Sequence, residues 1–344
     1  MTTTETTRWL DISGAPSIEG LRARAFRGDD DWQLLSELTM ATNTFDGVPW
    51  LPSADNLRLE IGGADGTDPF EDMVLIEHDD RVIAAAGVQR VVREGAPTYE
   101  AWGNVHPSVR RRGIGTWLMG RNIDRIRERA GAEDPGATVM LGGFAEDAET
   151  GHRTLLADFG FVAVRHFFLM RRDLLEAIPD AQLPEGIDIR PVTPDQHRRI
   201  ADAEEEAFRD HWGHREKTES DFHATFDRAE LDTDLWVVAW DGDQIAGVVQ
   251  NWIWPEENAR LGVKRGWLEH ISVRRPWRRR GLARAITAMS LERLRAAGLD
   301  EGMLGVDSEN ANGALGLYEG LGFVVHSRAA AYRRRLEGGP LETA

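Results

Sequence analysis

The chain has 344 residues, no cysteine and a formal net charge of −17 at neutral pH. That length is generous for one compact domain and suits two. The acidic balance argues against nucleic acid as a partner, because phosphate binding needs a basic surface, and the missing cysteine excludes disulfides, thiolate metal sites and a cysteine nucleophile. No apolar run is long enough to span a bilayer and no basic-then-apolar leader opens the chain, so a cytoplasmic protein with no membrane partner is expected. An acidic surface keeps a protein soluble and would also steer a cationic amine towards it.

Residues 1–18 are polar, Thr-rich and aperiodic, and read as a loose lead-in. A strand from Leu21 runs into Asp29-Asp30-Asp31 and a helix around Trp32 to Ala41. Asp72 to His78 and Arg81 to Val92 read as a hairpin turning at Asp79-Asp80. Residues 98–105 give a strand ending at Val105. The basic turn Arg110-Arg111-Arg112-Gly113-Ile114-Gly115 follows, then a helix carrying Trp117, Leu118, Ile123 and Ile126. A strand near Thr138 to Leu141 and a helix near Gly151 to Asp158 lead to Gly160-Phe161.

The series then repeats. Ile187 to Val192 matches Leu21 to Phe26, Leu235 to Trp254 repeats the hairpin, and Val273 stands to Gly281 as Val105 stands to Gly113. A period of roughly 165 residues means two copies of a domain rather than a solenoid. The expected division is a first domain at 19–173, a linker at 174–185 carrying Pro179 and Pro184, a second domain at 186–336 and a tail at 337–344.

In the second copy, Leu268 to Val273 alternates as a strand should, with Glu269, Ile271 and Val273 on one face and Leu268, His270 and Ser272 on the other. Arg278-Arg279-Arg280-Gly281-Leu282-Ala283 then turns into a helix whose apolar face carries Leu282, Ala285, Ile286 and Met289. The first N–H groups of such a helix lack intrahelical partners and lie at the positive end of its dipole, an arrangement that holds a pyrophosphate. The plain alternative is a solvated basic turn.

The segment Arg278-x-x-Gly281-x-Ala283 resembles the acyl-CoA pyrophosphate loop of the GNAT N-acetyltransferases. Their pattern is Gln/Arg-x-x-Gly-x-Gly/Ala. Glu309-Asn310-x-x-Gly313-Ala314-x-x-Leu317-Tyr318-Glu319-x-x-Gly322-Phe323 resembles the closing motif of the same family. The two stand in the right order, one helix and one strand apart. The resemblance covers nearly the whole chain and implies an α/β fold with a mixed sheet, present as two tandem GNAT domains. The C-terminal half is similar to the mycothiol synthase-like acetyltransferases.

The resemblance implies acetyl-CoA as co-substrate and needs no metal. Its pyrophosphate would lie on Arg278, Arg279, Arg280, Gly281, Leu282 and Ala283, and its thioester beside the backbone of Ile271, Ser272 and Val273. Asn310 would contact the cofactor arm. Tyr318 would be the general acid, since a phenol with a pKa of about 10 is protonated at neutral pH; otherwise it is a packed core tyrosine. Glu269 would be the base. His270 reads as a satisfied core histidine. The acceptor, a small-molecule amine, would meet His211, Trp212, Trp252 and Trp254, aromatics that can hold a cation or simply fill core. Glu204, Glu205 and Glu206 read as a solvated helix face.

The first copy has an equally good cradle in Val105, Arg110, Arg111, Arg112, Gly113, Ile114 and Gly115. Counting back from Gly160-Phe161, however, puts Leu156 at the position of Tyr318 and Ala148 at that of Asn310, with Ala101 at that of Glu269. It is therefore expected to bind acyl-CoA without turnover. The rival readings are an acetyltransferase acting on protein N-termini and an acyl-CoA-binding module without chemistry. The sequence sets no oligomeric state.

Overall fold

The computed structural model describes residues 7–310 and 313–337. The chain forms two compact units, residues 1–164 with 330–344, and residues 165–329. This division differs from the one expected at 174–185, because the long strand that ends the first repeat runs on into the second unit and the strand that ends the second repeat returns to the first.

The first unit begins with β1 (Trp9–Leu10), β2 (Arg22–Ala25) and α1 (Asp29–Asp46). The short helices α2 (Ala54–Leu57) and α3 (Pro69–Asp72) lead to the antiparallel strands β3 (Met73–His78), β4 (Arg81–Arg93) and β5 (Ala96–Val105). The β3–β4 turn is made by Asp79 and Asp80, both at positive φ (50° and 59°), as a tight hairpin matching the strand twist requires. Then follow α4 (Ile114–Glu133), β6 (Met140–Glu146), parallel to β5, and α5 (Thr150–Asp158). Residues 1–6 of the expected lead-in lie outside the described residues, and the remainder is less loose than its composition suggests. β1 pairs with β2, and Leu10, Ile12, Ala15 and Ile18 pack against Ile114, Leu118 and Trp117.

The second unit opens with most of β7 (Val162–Asp173), then β8 (Ile187–Ile189), α6 (His197–Phe208) and α7 (Glu219–Phe226). The hairpin β9 (Val237–Asp241) and β10 (Gln244–Trp252), the short α8 (Pro255–Leu261) and β11 (Arg265–Val273) come next. α9 (Leu282–Ala296), β12 (Glu301–Asp307), α10 (Ala314–Glu319) and β13 (Val324–Arg335) complete it. Leu282, Ala285, Ile286, Leu291 and Leu294 are buried on α9 and form the core with Leu268, Val249 and Leu304.

Each unit is finished by a strand from the other repeat. β7 pairs antiparallel with β12 from Phe167↔Asp307 to Asp173↔Glu301. From Ala330 onwards β13 belongs to the first unit, where Tyr332 and Leu336 join Ile123, Ile126, Leu141 and Leu156 in one core. Leu336 N–H also donates to Val139 O at 3.0 Å. No helix among the described residues is long and apolar enough to cross a membrane.

β11 departs from the regular alternation expected of it. The ladder with β10 shifts between Val248↔Ser272 and Gln250↔Glu269, and His270 adopts φ 48°. One extra residue is inserted there, a β-bulge. It turns Glu269 away from the face that Ile271 and Val273 share with Leu268 against α9, correcting the expectation that these three residues line up. β5 has no such shift.

Truncating Leu336 to alanine should cost the protein about 2–3 kcal/mol. Urea unfolding would measure the loss, and amide exchange should show faster opening in β6, within the first unit.

Candidate active site

The site is built by two parallel strands that part company. β11 and β12 pair only at Arg265↔Glu301, Gly266↔Gly302 and Trp267↔Met303. Beyond Trp267 they diverge and leave one edge of β11 open. Arg274 N–H donates to Ala246 O on β10 at 3.0 Å. Backbone polarity alternates along a strand, so the peptide groups of Val273 and Ile271 face the open side. β5 and β6 repeat the device, pairing only from Thr98↔Met140 to Glu100↔Gly142.

At the mouth of this gap the chain turns through Arg279 (φ 60°) and Gly281 (φ 82°) into α9, which has no side-chain cap. The helix makes its first backbone bond from Ala285 N–H to Gly281 O, 3.1 Å. The amides of Leu282, Ala283 and Arg284 therefore precede the hydrogen-bonded ladder. A Cβ at Gly281 would meet no atom within 4 Å, so the space before the amides is open and glycine is required by φ alone. Such a turn fits a diphosphate.

The arginines around it do two different jobs. Arg278 donates to Val273 O (2.9 Å), Ala207 O (3.0 Å) and Asp210 (3.1 Å), Arg275 pairs with Asp210, and Arg274 pairs with Glu206 at 2.6 Å. These three brace the turn against the end of α6. Arg278 thus acts through its bracing contacts, where the sequence suggested a guanidinium offered to phosphate. Arg275 and Arg278 hold the Asp210 carboxyl well below the usual carboxylate range. Arg279 and Arg280 are exposed and make no ion pair among the described residues.

Tyr318 lies on α10, 6% exposed, in the same apolar cluster as Leu282, Ile286 and Val306, with Ile271 and Val273 packed against it. Its ring meets Phe323 edge-on at 5.9 Å. Burial pushes its phenol above the ordinary value, so it carries its proton at neutral pH. Asn310 lies in the turn after β12, its N–H donating to Asp307 O at 3.1 Å and its carbonyl accepting from Gly313.

On the α6 side, burial raises the carboxyl of Glu269, an effect that His270 and Arg228 oppose. Arg228 lies over the Trp254 ring at 5.5 Å. His211 meets Phe208 edge-on at 4.4 Å, and burial, then Arg278, lowers its pKa. Trp212 lies near Phe167 and Arg165. Trp252, expected to face an acceptor, is instead 5% exposed. It is stacked on Trp254, and its N–H is directed at Gln250 Oε1. It is the last residue of β10 and faces the packed side of that strand.

The three consecutive glutamates of α6 are not a solvated face. Glu204 is 1% exposed, Glu205 pairs with His214 at 3.0 Å and Glu206 with Arg274. Ile200, Ala203 and Ala207 are the buried stripe of this helix. Their spacing puts Glu204 on the same side, so helical phase and not charge decides its burial.

The first unit has the same turn, with Arg111 at φ 61° and Gly113 at φ 86°. Arg110 is braced to Val105 O (2.9 Å) and Asp46 (2.7 Å). A cleft of about 380 Å³ opens there, lined by Trp102, Asn104, Val105, Gly113, Gly115 and Leu155 among others. Leu156 is fully buried. Sheet register corrects one equivalence. Gly87↔Trp102 matches Gln250↔Glu269, so the bulge shifts the count and Trp102, not Ala101, stands where the second unit has Glu269. The Trp102 indole lies against Gly87, where a Cβ would come within 2.7 Å of it.

A doubled mixed sheet with diverging parallel strands and an amide-lined turn defines an acetyl-CoA-dependent acyltransferase. The family described as Acetyltransferase (GNAT) family matches residues 32–140 and 197–323, and the chain belongs to that family. It is similar to a mycothiol acetyltransferase of Salinispora arenicola, 32% identical over 83% of this chain and 94% of that protein. A mycothiol acetyltransferase of Thermobispora bispora is 29% identical over 88% and 96%. Among solved structures, a GCN5-related N-acetyltransferase from Sphaerobacter thermophilus aligns with a TM-score of 0.71 at 27% identity, over 95% of this chain and 99% of that one. A tandem GNAT protein from the clavulanic acid biosynthesis pathway shares the fold at 17% identity and TM-score 0.65, over 93% and 99%.

Two outcomes follow from this geometry. Gly281→Val should raise the KM for acetyl-CoA more than about tenfold, since a β-branched residue at this φ is strained by roughly 1–3 kcal/mol and re-aims the amides. Glu269 holds its proton more tightly folded than unfolded, so it subtracts stability as pH rises from its ordinary value of about 4.3 towards the raised one. Glu269→Gln should therefore unfold at higher urea than the parent protein at pH 8, with the difference closing below about pH 4.

Proposed function

We propose that the second unit transfers an acetyl group from acetyl-CoA to the primary amine of a small molecule, by direct attack with both substrates bound. Acetyl-CoA supplies the acetyl group activated as a thioester. Leu282, Ala283 and the exposed Arg279 and Arg280 hold the diphosphate, with Asn310 along the cofactor arm. The N–H groups of Ile271 and Val273 polarise the thioester carbonyl, in the manner of an oxyanion hole. Glu269 takes a proton from the amine, which its raised affinity for protons suits. Tyr318 returns one to the departing sulfur. His211, Trp212 and Trp254 border the acceptor.

The observation that carries this reading is the bulge at His270, which turns a poised carboxylate away from the α9 face. In the first unit the strand is regular, the carboxylate is replaced by Trp102 and the phenol by Leu156. We read that unit as an acyl-CoA binder without turnover, which its open cleft supports. The mycothiol acetyltransferase relatives favour a small acceptor over a protein N-terminus.

The test is thiol release from acetyl-CoA across a panel of amino sugars, amino acids, polyamines and N-terminal peptides. Tyr318→Phe should lower kcat by about 10²–10³ with the KM for acetyl-CoA little changed. Release with peptides alone would transfer the function to protein N-termini. No release with any amine, from a chain that binds acetyl-CoA, would leave a binding module.

A further inference from the structure

Acyl transfer from a thioester forms a C–N bond and breaks a C–S bond, and its proton count is fixed. An amine that arrives as ammonium loses two protons, one before it can attack and one as the amide forms. In the reading above, one proton returns to sulfur through Tyr318. The other must reach solvent from the half-buried Glu269 carboxyl, or Glu269 stays protonated and cannot serve as base again.

We infer that Glu204 and His270 form a carboxylate–imidazole pair that carries this proton from Glu269 to solvent. Glu204 projects from α6 into the core. Its Oε2 accepts from Gln250 Nε2 at 2.8 Å and lies 3.6 Å from His270 Nδ1. Glu204 Oε1 and His270 Nδ1 are both buried without a hydrogen-bond partner, a costly state for a carboxylate. The gap lies between Nδ1 and Oε2, and a small closure across it, with Nδ1–H donating to Oε2, gives the imidazole nitrogen a partner. That bond fixes the imidazole tautomer and leaves Nε2 as the acceptor.

The His270 side chain is 34% exposed although its Nδ1 is buried, so the edge of the ring bearing Nε2 is the open one. His270 follows Glu269 in the chain, and the bulge leaves its ring against Glu204 and Phe208 of α6, where the ionisation of Glu269 feels it. A histidine at φ 48° is strained, and strain of this kind persists at functional sites. The groups around the ring are Glu204 and Phe208 from α6, the neutral Gln250 from β10 and Glu269 on its own strand. Arg228, beyond α7, reaches Glu269, and Phe208 separates His270 from His211.

The relay balances. Glu269 passes its proton to Nε2 and returns to carboxylate. The imidazolium is stabilised by Glu204, then releases the proton to water. Glu204 is a positioning residue in this scheme and touches no substrate.

The inference rests on the proposed acetyltransferase reading, and the experiment separates the two. Imidazole NMR on the full chain should show His270 as the Nδ1–H tautomer, with a downfield, hydrogen-bonded Nδ1–H resonance that moves upfield in Glu204→Gln. This arm needs no turnover. If the His270 tautomer and Nδ1–H resonance are identical in both proteins, the pair does not exist. In the active enzyme, Glu204→Gln and His270→Asn should lower kcat 10–100-fold with an unchanged KM for acetyl-CoA. Asparagine is chosen because it tolerates positive φ and keeps the bulge. Glu204→Gln should also move the acid limb of kcat/KM to lower pH, and Glu204→Asp should recover part of the rate. Wild-type kcat and pH profile in Glu204→Gln would overturn the relay. A folded parent protein inactive with every amine would instead overturn the acetyltransferase reading.

Discussion

The functional geometry depends on a parallel ladder that stops early. Three residue pairs join β11 to β12, and beyond Trp267↔Met303 the strands separate. An unpaired strand edge inside a fold is ordinarily a liability, because its peptide groups need partners. Here one edge of β11 is left open beyond the short ladder, and the turn at Gly281 opens beside it. The brace of Arg274, Arg275 and Arg278 on α6 holds that turn in place with side chains.

The two units apply this scaffold differently, and one inserted residue accounts for much of the difference. Both have the diverging pair, the left-handed arginine and glycine, and the braced arginine at the strand end. Only β11 has the bulge. It changes which side chains share a face, so a carboxylate and an imidazole stand together where β5 presents Trp102 over Gly87. A duplicated domain can thus keep its glycine turn while the side chains of the neighbouring strand diverge.

Much of this was legible in the sequence. The repeat, the two glycine turns and the closing motif gave the doubled fold, because each rests on local spacing. What was not legible came from tertiary context. A single αL histidine broke the period-two alternation of β11 and shifted the equivalence from Ala101 to Trp102. Glu204 looked solvated among three glutamates, yet helical phase with Ile200, Ala203 and Ala207 takes it inside. Arg278 looked like a phosphate ligand, yet its distance from the end of α6 makes it a brace. The two compact units change over within β7 and β13, continuous strands that give the sequence no punctuation of the kind Pro179 and Pro184 supply.

That strand exchange has a consequence for biogenesis. Domains of a growing chain generally fold in order of emergence, at about 5–20 residues per second. The first unit here needs residues 330–336 for its core, so its completion waits for the entire second repeat, roughly 10–30 s of synthesis at those rates. Until then Leu141, Leu156 and Ile126 lack their covering strand. Residues 330–336 thus close the first unit only after the second repeat has been made, and the nascent chain holds exposed apolar surface longest in the repeat that emerges first.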